Sequence, residues 1–163
     1  MTEHSHETQR LTRLREIGIL DSPESKLFRG LAEQALDLLP GTCIAAVSLV
    51  DADRQWFKTI VGLDVKETPR ALSFCAHTIG TANGVMVVED ATRDERFAKN
   101  ALVTSSPGIR FYAGVSLMDG IGALCVIGKQ PRQATQSEMT KLAKLAQYVD
   151  IQMMAHGTYF NLT

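Results

Sequence analysis

The chain has 163 residues, 45% of them hydrophobic and 21% charged, with a net charge of −1. Those values suit one globular domain that buries roughly 70% of its extended surface. They lack the basic excess of a nucleic-acid binder and any apolar run near the ~18 residues of a membrane span, so neither partner is expected.

Residues 1–9 read as a polar, disordered tail, in which His4 and His6 have no fixed geometry for a metal. The tail also lacks the apolar core of a signal peptide, which implies a cytoplasmic protein. Helical spacing begins near Thr8, with Leu11, Leu14 and Ile17 on one face and Gly18 as a stop. In "DSPES", Asp21 or Ser22 suits an N-cap and Pro23 a first helical turn. Phe28, Leu31, Ala32, Ala35, Leu36 and Leu39 then form a second helical stripe, ended by Pro40 and Gly41.

The period changes next. Residues 43–51 and 54–62 read as two strands joined by "DAD", where Asp51 and Asp53 suit a turn better than a metal. Residues 84–90 form a third short strand. Residues 111–118 and 121–128 flank Asp119-Gly120, a strong hairpin signal. Thr135 and Glu138 have capping-box spacing ahead of a helix whose buried face carries Leu142, Leu145, Ala146, Val149 and Met153. Residues 157–163 are expected to fray. Segments 63–83 and 90–110 resist assignment, and connections of that length are often functional.

Several blocks, in order, resemble the GAF domain: "DSPES", "VSLVDADRQWFKTIVGLDVKETPRALSFCAHTI", "VVEDATRDERFAKNALV", "GIRFYAG" and "GALCVI". More narrowly, they resemble the bacterial subgroup often found ahead of cyclic-nucleotide-signalling or histidine-kinase output domains. Gly128 departs from the aspartate common after the "CVI" strand, and the Asp119-Gly120 hairpin is shorter than usual there. The resemblance implies a single domain over residues 10–156 with an α+β fold. Its central antiparallel sheet would have five to six strands, with the N- and C-terminal helices on one face and the long loops on the other. It also implies a non-enzymatic small-molecule sensor that dimerises through its helices. An output protein in trans is expected, since none is evident within these residues. A ligand-free dimerisation module is a further alternative.

The residues refine this. Three cysteines, Cys43, Cys75 and Cys125, are widely spaced with no Cys-x-x-Cys, which disfavours a disulfide framework or structural zinc. Core packing is expected for Cys43 and Cys125. Cys75 and His77 are two apart, and on a helix residues two apart lie roughly 200° around the axis. They would diverge rather than form a nucleophile–base pair, so Cys75 reads as core. A Cys75-based thiol enzyme or redox sensor, with Cys43 or Cys125 resolving, is the alternative. Trp56 and Phe57 alternate, so one should face the loops. The candidate pocket comprises Trp56, Phe74, His77, Asp90, Phe97, Arg110, Phe111 and Tyr112, with Arg93 or Arg110 as an anion contact. No cofactor or metal is required by the sequence, and the ligand is unidentified.

Overall fold

The computed structural model describes residues 3–162, with side chains from residue 5 onward. Helix α1 (Glu3–Ile17) starts within the segment expected to be a tail. Glu7 explains part of this. Its carboxylate takes two hydrogen bonds from Arg10 (2.8 and 2.9 Å) and one from Arg70 (2.6 Å). Arg10 in turn donates to the carbonyls of Val50 and Gly120, so a buried guanidinium joins the helix to two strand ends.

Helix α2 (Lys26–Leu38) is capped by Ser25, whose hydroxyl accepts from the Phe28 amide. Asp21 and Ser22 do not cap it: Asp21 has φ 61° and pairs with Arg54 at 2.7 Å, while the Ser22 hydroxyl donates to the Ile19 carbonyl. The buried stripe Phe28, Ala32 and Ala35 lies at spacings of four and three, on one helical face.

Six strands form one antiparallel sheet: β1 (Ile44–Val50), β2 (Arg54–Val61), β3 (Glu67–Pro69), β4 (Val85–Val88), β5 (Phe111–Ser116) and β6 (Gly122–Gly128), in the order β3-β2-β1-β6-β5-β4. Strand β3 was hidden in the first unassigned segment. Every residue of β1 is buried, because helices cover one face of the sheet and loops the other. Asp119 and Gly120 both adopt positive φ, as the Asp-Gly signal predicts. The Leu117 amide bonds the Gly122 carbonyl, so the loop between these partners has four residues rather than two. At Gly122 an added Cβ would sit 1.8 Å from the Ser48 carbonyl oxygen, so only glycine allows this approach to β1.

The last helix, α5 (Gln136–Leu162), opens with the expected reciprocal cap: Glu138 N–H to Thr135 Oγ1 at 3.0 Å and Thr135 N–H to Glu138 Oε1 at 2.9 Å. It runs on through the segment expected to fray. Gly157 packs on Ile17, and Asn161 donates to the Glu16 and Gly157 carbonyls, which holds the last turns against α1. Helices α1, α2 and α5 cover one face of the sheet. The other carries two short helices, α3 (Phe74–Thr78) and α4 (Ala101–Thr104), with 3-10 turns at Arg70–Leu72 and Ala91–Arg93. Among the described residues no helix is long and apolar enough to cross a membrane.

Candidate functional site

The loop face is built on side chains that strand alternation sends away from the helices. In β2, Gln55 and Phe57 point to the loops while Trp56 and Lys58 point to the helices. The register then slips: Val47 faces Thr59, and the next residue, Ser48, faces Phe57. This bulge at Lys58 puts Ile60 on the same face as Phe57, where regular alternation would have put Thr59. In β5, Tyr112 alone goes to the loop side between Phe111 and Ala113.

Between these strands and the loops lies a cavity of about 50 Å³. Its floor includes Ala46, Phe57, Ile60 and Cys125. Leu63 and Val65 cover it on one side, Leu102, Pro107 and Ile109 on another, and Phe74 with Cys75 on a third. Helix α3 presents the last two. Ser73 caps it by accepting from the Ala76 amide at 3.0 Å. The same Ser73 hydroxyl donates to Gln55 Oε1 at 2.8 Å, which also receives Ser48 Oγ at 2.8 Å. Gln55 Nε2 donates to Thr68 Oγ1 at 3.0 Å. One buried amide therefore joins β1, β3 and α3 at the cavity wall.

A second polar chain lies beside it. Tyr112 Oη is 2.7 Å from Thr78 Oγ1 and donates to Cys75 Sγ at 3.2 Å. A hydrogen bond with Cys125 lowers the Cys75 pKa, against burial; that bond and burial push the Cys125 thiol well up. Burial, with Cys75 adjacent, raises the Tyr112 phenol well above its ordinary value, which keeps it a neutral donor.

Two of the eight candidate residues, Phe74 and Tyr112, line the cavity. Phe97 stacks behind Phe74 with ring centroids 3.9 Å apart. Trp56 and Phe111 belong to the helix-side core, because their places in the alternation face that way. His77 is solvent-facing, with its ring edge-on to Phe97 at 4.8 Å. Partial desolvation and then Arg96 lower its pKa, and Asp94 opposes them. It diverges from buried Cys75, as helical spacing requires. Asp90 caps the Ala91–Arg93 turn and bonds Thr92, outside the cavity. Arg110 donates to the Val103 and Ile109 carbonyls at 2.9 and 3.0 Å, and Arg93 is solvent-exposed, so neither offers a cavity anion contact. Cys43 is exposed just before β1, not in the core.

Sequence reasoning missed Gln55, Ile60, Leu63, Val65 and Ile109. Only Gln55 carried a usable signal, as an amide inside an apolar strand. Among the described residues no group of three His, Cys, Asp or Glu side chains could hold a metal.

Comparison with known proteins agrees with this architecture. A cyclic di-GMP phosphodiesterase of Pseudomonas aeruginosa is 41% identical over 121 residues, which cover 72% of this chain and 20% of that protein. The chain thus spans about a fifth of that relative. Among solved structures, the GAF domain of an Acinetobacter phosphoenolpyruvate-protein phosphotransferase superposes with a TM-score of 0.64 at 20% identity, covering 100% of both chains. A free methionine-R-sulfoxide reductase of Neisseria meningitidis gives a TM-score of 0.63 at 21% identity, covering 98% of this chain and 95% of that one. At these identities the likeness concerns the fold. The GAF domain family matches residues 6–153, nearly the full length, and the chain belongs to that family.

Proposed function

We propose that this GAF domain is a non-enzymatic, cytoplasmic sensor that binds a small molecule between sheet and loops and regulates a signalling output as a dimer. The carrying observation is the apolar cavity between sheet and loops, one wall of which is the capped helix α3. A ligand there touches Phe74 and Cys75 directly. Through Arg70, which follows β3 and bonds Glu7, movement of that wall reaches α1. The similarity to a cyclic di-GMP phosphodiesterase supports an output in cyclic-dinucleotide turnover.

The dimer reading is supported by the outer side of α5. Tyr148, Ile151, Ala155 and Leu162 are exposed and follow spacings of three, four and seven, a seam suited to a second helix. An Ile151→Glu exchange is expected to convert dimer to monomer in sedimentation. The sensor reading is tested by thermal melting against a metabolite panel, with native mass spectrometry of the purified protein. A ligand at ~100 times its Kd adds about 2.7 kcal/mol of stability. No shift across the panel and no retained ligand would overturn it.

A thiol redox role is the second reading, favoured by Cys75 and Cys125 both lining the cavity. It requires reaction of native protein with a thiol reagent at neutral pH at these two positions. Labelling confined to exposed Cys43 would exclude it.

A further inference from the structure

The chemistry of the cavity wall decides what can occupy it, granted the reading above that the cavity is a ligand site. No charged side chain lines it among the described residues. Of the cations in the surrounding loops, Arg110 bonds two backbone carbonyls, Arg96 pairs with Asp94 and Arg70 with Glu7, while Lys66, Arg93 and Lys99 are exposed and outside the lining. An anion entering here would lose its hydration without meeting a counter-charge, the costliest of burials.

The polar groups at the wall are also spoken for. Both ends of the Gln55 amide are bonded to hydroxyls, and Tyr112 Oη is held between Thr78 and Cys75. Among the described residues no buried side-chain nitrogen or oxygen lacks a partner. Beyond the second Gln55 Nε2 proton and the Thr68 hydroxyl proton, a polar ligand could bind only by breaking one of these bonds, exchanging a satisfied pair for another at best. What remains on offer is the apolar surface of Ala46, Phe57, Ile60, Leu102, Ile109 and Ile127. Apolar cavities of this kind stay dry and take up xenon or benzene when large enough.

Size sets the second limit. A volume of about 50 Å³ accommodates an occupant of very few heavy atoms while the loops stay as they are. A ring must displace a covering side chain, and half-buried Leu102 on α4, packed against the loop-side core rather than within it, is the one whose removal enlarges the space at least cost. We propose that the cavity between sheet and loops takes an uncharged, apolar small molecule rather than a nucleotide or any other anion.

The test uses the full chain and four probes: xenon, benzene, cyclic AMP and cyclic di-GMP. The readout is the methyl NMR shifts of Ile60, Ile109 and Ile127. Xenon is expected to shift these methyls saturably, and an Ile60→Phe exchange to abolish the shift while the protein still melts cooperatively. Benzene affinity is expected to rise at least tenfold in Leu102→Ala. Neither cyclic nucleotide should move the three methyls. If a cyclic nucleotide shifts them saturably, the ligand class proposed here is wrong and the sensor reading survives. If none of the probes shifts them in the wild-type chain, the ligand class proposed here falls, and the sensor reading is decided separately by the metabolite panel. That wild-type arm decides the matter even where a variant fails to fold.

Discussion

The two faces of the sheet are built by different means from the same strands. On one, Leu14, Ile17, Phe28, Ala32, Leu142 and Val149 come from helices of 13 to 27 residues and interlock with Leu49, Leu124 and Val126. On the other, cover comes from helices of four and five residues and from turns, none of which is long enough to be stable alone. That face depends on an aromatic stack, a buried amide and a tyrosine–thiol chain for its order, and it contains the cavity. The difference teaches where response and rigidity reside. On the proposed sensor reading, a wall assembled from short pieces would re-form around a ligand, and the helix side would transmit the change as a body.

Exchanges that strike each face separately sharpen this. The largest effect is expected on the helix side: Leu124→Ala removes a fully buried side chain and should cost about 2–5 kcal/mol, lowering the urea midpoint of the whole domain. A loss confined to part of the molecule would break the comparison. On the loop side, Gln55→Ala strips three hydroxyls of their partner and should cost about 2 kcal/mol. Hydrogen exchange of α3 amides should accelerate before that of α2. Ser73→Ala removes the α3 cap as well as one of those bonds, for about 1 kcal/mol by the same measurement.

The smallest effect concerns pH and belongs to the helix side. Hydrogen bonds from Arg132, then from the Thr135 amide, lower Glu138 from 4.5 to about 2. A carboxylate depressed in the folded state contributes stability that is full above its unfolded value and lost as pH falls from about 4.5 towards 2. Arg10 and Arg70 hold Glu7 near 2 in the same way. The melting temperature should therefore fall less steeply between those limits in Glu138→Gln than in the wild-type chain. Equal slopes would mean that the Arg132 pair is screened by solvent.

Much of the fold was legible because it depends on local chemistry. The reciprocal Thr135–Glu138 cap, the stripe of α2 and the positive φ of Asp119-Gly120 all follow from residue type and spacing. Helix α1 was read too short because Glu7 is ordered by Arg70, 63 positions away in the chain. Strand β3 was missed because three residues carry no period.

The site was less legible. Phe74 and Tyr112 line the cavity, whereas Trp56 and Phe111 belong to the helix-side core. Aromatic size attracts attention to a pocket, but it serves a core equally well.

The sequence by itself determined that this is a GAF-type sheet with helices at both ends and two long covering segments. Hydrophobic period, caps and turns are near-neighbour effects, and five ordered blocks carry the family. It also determined that Trp56 and Phe57 point in opposite directions. Only the tertiary structure decided which of them meets the cavity, since that depends on which side the helices dock. The bulge at Lys58, which brings Ile60 round beside Phe57, arises from pairing with β1 and has no local signature. The void itself is a difference between side-chain volumes contributed by distant segments, and no single stretch of chain contains it.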